Sequence, residues 1–332
     1  MDRVLRLKRK FIVACLAASG FLAAGSTISQ AAPGMDMPGG IQKAAFSNDG
    51  LLYILAKGEA SIRIYSAEGR LLRRLPMDPG NRLNLQGAGP RDFSVDAKGD
   101  VYCLTSCREL PHQQSCIVRI DKTGGASTVV PLGKPLHALQ MSRDRDGNFF
   151  VLGFEADVNS SMARKQDLPS SVYLVHKFSP KGEHVQSLMP VMGTAADGLL
   201  LNAMGRARSF VVLPDGEVWF FELRVDGRTP PWQNARAVYH VDRKGSAERI
   251  EPASSSDQFV MGIHEYAGDV ALEWADRRAG TAKILTKVDG TRIGTVEGGS
   301  IQAIGTDSAV CTRMGGSGAF QLTLHPIAPP RD

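Results

Sequence analysis

Short apolar stretches alternate with polar residues along most of the chain, and glycine-containing turns cut them at regular intervals. The clearest copy is Asp92–Leu104, DFSVDAKGDVYCL. Phe93 and Val95 alternate with polar residues before Asp96-Ala97-Lys98-Gly99, and Val101 and Cys103 alternate after it. A period of two is that of a strand with one buried face. Glycine at the fourth turn position takes a positive φ at low cost. The stretch therefore reads as strand, tight turn, strand.

The pattern recurs with two turn signals per unit. They are Ser47–Gly50 and Ser66–Gly69, Asp96–Gly99 and Asp121–Gly124, Arg145–Gly147 and Ser179–Gly182, Leu213–Gly216 and Asp242–Gly245, and Tyr266–Asp269 and Lys287–Gly290. A sixth, degenerate unit has Gly305–Ser308 and no clear second turn. Two β-rich runs lie between the turns of each unit, such as Leu51–Leu55 with Ser61–Tyr65 and Glu217–Glu222 with Arg236–Val241. A further run follows the second turn, as in Leu71–Leu75, Ser127–Leu132 and Arg292–Val296. Each unit is thus four antiparallel strands, a to d. Such units recurring at roughly 45–50 residues predict an all-β chain, a six-bladed β-propeller of four-stranded antiparallel blades. The expected organisation is a signal peptide over 1–31, a short linker over 32–40 and the propeller over 41–328, with blades near 41–77, 91–133, 137–189, 207–252, 258–297 and 300–328. The last blade lacks a good fourth strand. The stretch near Met35–Pro38 is available to complete it, although it is rich in Pro and Gly and poor in β-formers.

Asp96-Ala97-Lys98-Gly99-Asp100-Val101-Tyr102 with Val118-Arg119-Ile120-Asp121-Lys122-Thr123-Gly124 resembles the blade of NHL and related six-bladed propeller families. Pro214–Trp219 with Tyr239–Gly245 is the next best copy. The resemblance implies fold more than chemistry, because such families hold binding modules and enzymes alike.

Strand alternation puts the a–b and c–d turns on one face and the b–c and d–a connections on the other. The long connections are all of the second kind: Asp78–Pro90, Ser106–Ser115, Glu155–Ser170, Pro190–Gly205 and Arg224–Ala235. Long loops on a rigid scaffold are where binding concentrates. Trp232 is their one large aromatic, either an anchor for a partner or a cap on its own loop. Counting back from each a–b turn, the innermost strands begin with Gln42, Arg91, His137 (allowing a two-residue insertion in the third turn) and Arg208. These four are candidates for the mouth of the central channel, where donors would suit an anion or an acidic carbohydrate. The bland alternative is ordinary polar residues solvated at a strand start.

Charge refines this picture. The formal charge of the 332 residues is +5, yet all but one unit of it lies in residues 1–31. The remainder lacks the basic surface of a nucleic-acid binder. The basic start and the apolar run Phe11–Ala24, with small residues up to Ala31, read as an export signal cleaved near Ala31. That places the mature chain in the periplasm or outside the cell, with no later membrane span. Cysteine use agrees: Cys107 and Cys116 flank a loop, and a disulfide there suits an oxidising compartment, the alternative being buried thiols. No phosphate loop, GxSxG elbow, HExxH or paired CxxC occurs, so no cofactor, metal or catalytic residue is assigned. His264 and Glu265 are sequence neighbours and point to opposite faces of a strand. The expected function is a recognition or scaffold module that binds a protein, peptide or glycan through the long-loop face over blades two to four. The alternative is a divergent propeller hydrolase or lyase with a site in the channel.

Overall fold

The computed structural model describes residues 35–37, 39–78, 89–107, 114–125, 127–134, 136–155, 174–188, 210–226, 233–250, 252, 257–276, 281–314 and 320–330. The expected signal segment, Arg208 and Trp232 lie outside the described residues. Those described form strands and turns. A lone strand, Met35–Met37 (β1), comes first. The first blade is Ile41–Phe46 (β2), Leu52–Ala56 (β3), Ser61–Tyr65 (β4) and Leu71–Pro76 (β5). The second is Asp92–Val95 (β6), Val101–Cys107 (β7), Gln114–Ile120 (β8) and Ser127–Pro131 (β9). The third is Leu136–Arg143 (β10), Phe149–Glu155 (β11), Leu174–Phe178 (β12) and His184–Leu188 (β13). The fourth is Phe210–Val212 (β14), Val218–Asp226 (β15), Gln233–Val241 (β16) and Ala247–Ile250 (β17). The fifth is Gln258–Tyr266 (β18), Asp269–Asp276 (β19), Lys283–Lys287 (β20) and Arg292–Val296 (β21). The sixth has Ser300–Ile304 (β22), Ser308–Met314 (β23) and Phe320–Pro326 (β24).

Each sheet runs in sequence order, and each inner strand contacts the inner strand of the next blade until β22 meets β2 and the ring closes. The chain is a six-bladed β-propeller. The hydrophobic effect holds it together between blades. Tyr53, Leu55 and Ile64 pack on Phe93, Cys103 and Val118, and comparable clusters fill the other junctions. Burial of Cys103, aided by the nearby Asp92 charge, pushes its thiol up to about 12, so it is a core residue and no nucleophile at neutral pH.

The opening hairpin forms as its pattern predicts. Asp92 to Val95 pair with Leu104 to Val101, Asp96 N–H donates to Asp100 O at 3.0 Å, and Gly99 sits at φ 85°. Two expected loops are shorter than read. In blade two the ladder runs on to Cys107 opposite Gln114, and in blade four to Asp226 opposite Gln233. Polar residues such as Ser106 and Arg224 therefore extend hairpins that turn-rich composition had assigned to loops.

The sixth blade is closed from the other end of the chain. Within the stretch expected as a linker, β1 pairs antiparallel with β24, with Met35 opposite Leu322 and Met37 opposite Phe320. Met37 is 1% exposed and packs with Ile41, Leu52 and Leu322. Burial of that side chain outweighs the weak β-propensity of its neighbours. Beyond β24 the chain crosses back to blade five, where Ala328 bridges Thr295 through two hydrogen bonds of 2.9 Å. A Cβ on Gly294 would lie 2.5 Å from the Ala328 carbonyl oxygen, so glycine lets the tail lie flat there.

Blade three holds a buried histidine. His176 is 0% exposed; its Nδ1 lies 2.9 Å from Ser187 Oγ, and its Nε2 has no partner among the described residues. Burial, with smaller contributions from Lys134 and His184, lowers its pKa from 6.5 to about 3. Below pH 6.5 the unfolded chain takes up a proton that the folded chain refuses, so stability falls as pH falls through that window. Between pH 6.5 and 4.5 we expect the wild type to lose roughly 1 kcal/mol per pH unit more than His176→Gln. Urea unfolding of the two across this range measures it; parallel curves would show that His176 does not govern the loss.

Candidate functional site

A cavity of about 1530 Å³ occupies the centre of the ring, and the inner strands of all six blades line it. An inner strand is a sheet edge with unpaired backbone groups. Three features decide what this edge can do.

The first is a bulge repeated at one position. The ladder between strands a and b skips one residue in blades one, three, five and six, at Gln42, Leu139, Met261 and Gln302. In blade two Arg91 stands at the corresponding place, its N–H on Leu104 O at 2.8 Å while Asp92 pairs with Leu104. All five residues line the cavity, Gln42 and Arg91 at the start of their strands and Leu139, Met261 and Gln302 nearer the middle of theirs. Bulges re-aim side chains in this way beside many binding sites. The structure thus brings Gln42 and Arg91 together in the cavity lining. His137 is set apart: the third a–b turn, Asp144 N–H to Asn148 O, has the length of the others, so no insertion exists and Leu139 holds that place. Arg208 and Trp232 lie outside the described residues, as does the Cys107 side chain; Cys116 is disulfide-bonded.

The second is a set of polar clips between neighbouring inner strands. Gln42 Nε2 donates to Arg91 O, and Arg91 Nη1 donates to Ala138 O at 2.9 Å. Lys43 Nζ bonds Asp92 Oδ1 at 2.9 Å and Met141 O at 3.0 Å. The two oxygens of Asp92 also accept the Phe93 amide at 2.8 Å and the Met141 amide at 2.6 Å. Burial pushes the Asp92 carboxyl upward, and Lys43 and the two amides pull it back. The donors that sequence reasoning offered to an anion are thus engaged in satisfying the open edge of blades two and three.

The third feature escaped sequence reasoning. His264 Nε2 and Glu273 Oε2 lie 2.9 Å apart, each side chain 7% exposed, in the cavity wall beside Gly262. Register places Glu273 opposite Gly262, where the other blades have Leu55, Leu104, Leu152 and Val310. In blades one to four the His264 position holds Ala45, Ser94, Ser142 and Val211. Those blades carry small or apolar residues there and no carboxylate–imidazole pair, so the fold does not require a buried polar pair in blade five. The neighbouring Glu265 faces the cavity, makes no hydrogen bond among the described residues, and has its carboxyl pushed up by the surrounding protein, with Lys43 opposing. No three His, Cys, Asp or Glu side chains among the described residues gather as a metal ion would require. No helix among them is long and apolar enough to cross a membrane.

No family model matches the chain, and no curated protein matches it. Solved structures do. A TolB-like protein from Agrobacterium tumefaciens aligns with a TM-score of 0.46 at 16% identity, over 85% of this chain and 89% of its own. A gluconolactonase-like protein aligns at 0.47 and 13%, over 92% and 95%. Virginiamycin B lyase from Staphylococcus aureus aligns at 0.43 and 9%, over 89% and 98%. The likeness is one of architecture.

Proposed function

We propose that this chain is an exported recognition module built of NHL-like blades, acting in the periplasm or outside the cell. It takes a protein, peptide or glycan at the long-loop face, where the mouth of the central cavity is the anchoring point. The observation that supports this reading is the repeated bulge. Four inner strands break their ladder at the same place, and the residue released lines the cavity each time. Met261, one of these, is 46% exposed and lines the cavity.

Glycan and peptide arrays probed with the wild type and two variants test the reading. Met261→Trp plugs the mouth and should abolish the signals. Lys98→Trp, on the exposed turn at the opposite face, should leave them unchanged. Signals that survive Met261→Trp and vanish in Lys98→Trp would move the site to the other face.

The His264–Glu273 pair supports a second reading, a channel hydrolase or lyase. A carboxylate bonded to one imidazole nitrogen orients the ring, which suits a general base. Turnover lost in His264→Gln without loss of ligand affinity would favour that reading.

A further inference from the structure

The cavity lining has carboxylates on both sides, Asp49 and Asp92 among them in blades one and two, but its described cations are one-sided. The cations of the described lining, Lys43, Lys57 and Arg91, all belong to blades one and two. The described lining from blades four to six contains no Lys or Arg, yet it contains Glu265, Glu273 and Asp307.

One buried acceptor in that wall, on Gln302, lacks a donor among the described residues, and carboxylates stand near it. Glu273 spends Oε2 on His264. The Gln302 amide donates to Ser300 O at 3.1 Å and to Thr312 Oγ1 at 2.6 Å, and its Oε1 is buried with no donor. Glu265 offers a whole carboxylate to the cavity. A buried acceptor without a donor costs about 1–3 kcal/mol, more when charged. Such groups persist where a ligand completes them.

Apolar side chains frame these acceptors: Met261, Phe210 and Ile301 line the same cavity. A polyol presents donors and acceptors together and gains little from a wall of acceptors. An alkyl stem carrying a cationic head matches both parts, the stem lying on apolar surface and the head on carboxylates.

Resting on the recognition reading above, we propose that the blade-five and blade-six wall of the cavity binds a lysine or arginine side chain of a peptide partner. The ammonium or guanidinium group lies against Glu265 and the Glu273–His264 pair.

The test titrates Nα-acetyl-lysinamide and Nα-acetyl-argininamide into the full propeller by calorimetry, with glucosamine and glucuronate alongside. Saturable binding of the two amino-acid amides is expected, with the two sugars weaker. Glu265→Gln and Glu273→Gln should each weaken binding about tenfold or more. Glu273 is buried, so its variant is compared only if its melting curve stays cooperative; Glu265 faces the cavity and carries no such risk. Met261→Glu adds a carboxylate at the exposed bulge and should tighten binding.

Glucuronate or glucosamine binding as well as the amides would overturn the cation assignment. So would amide binding indifferent to Glu265→Gln and Met261→Glu. Either result leaves the recognition reading standing if Met261→Trp still abolishes the array signals. No binding of any probe up to about 10 mM overturns this inference. The recognition reading falls with it only if the array signals also survive Met261→Trp.

Discussion

A chain beginning at Gly39 is expected to melt roughly 10 °C below one beginning at Ala32, and to self-associate. The shorter chain lacks β1, the outermost strand of the sixth blade. Met37 is 1% exposed among Ile41, Leu52 and Leu322, and deleting a methionine so buried costs about 2–5 kcal/mol. The pairing of Met35 to Met37 with Leu322 to Phe320 goes with it. The edge of β24 is then bare, and a bare edge pairs with another chain. Differential scanning calorimetry with light scattering reads both effects. Melting within about 2 °C, with no self-association, would mean that the sixth blade closes without β1.

Asp92→Ala is expected to cost about 3–5 kcal/mol, the range for breaking a buried ion pair from one side. The carboxylate, with a side chain 6% exposed, joins three blades: Lys43 from the first, its own strand in the second, and the Met141 amide of the third. Alanine leaves the Lys43 ammonium half-buried beside Met141 O, and the Met141 amide without its acceptor. The double replacement Lys43→Met with Asp92→Leu should recover much of the loss, because the core on either side is apolar. Urea midpoints of the three variants decide it. A single-variant cost below about 1 kcal/mol would show that the junction tolerates an open charge.

These two residues also mark how much the sequence made legible. The fold was readable because period-two alternation and glycine turns are local signals, as the Asp92–Leu104 hairpin illustrates. The closing strand was harder: Met35–Met37 carries little β signal of its own and is held by burial against residues nearly 290 positions away. Counting from turns pointed to Gln42 and Arg91, and both line the central cavity. Their use was not readable, since it depends on which backbone carbonyl each reaches. His137 was included only through an insertion that the ladder lacks. The His264–Glu273 pair was missed because His264 was weighed only against its neighbour Glu265, whereas its partner lies across a hairpin. Aligning the six units by register would have exposed Glu273, since the other blades place an apolar residue there.

The strand that closes the sixth blade also fixes when the ring can close. Asp36 and Gln321, partners in that blade, are 285 residues apart in sequence. At about 5–20 residues per second, a chain made from its N-terminus holds β1 unpartnered for tens of seconds before β24 exists. Blades one to five can form in order during that time, but the inner face of the first and the outer face of the fifth wait for their neighbour. Such long-separation pairing is slow and leaves sheet surface open to other chains. The ring is thus completed only once β24, the last of its strands in chain order, is available to β1.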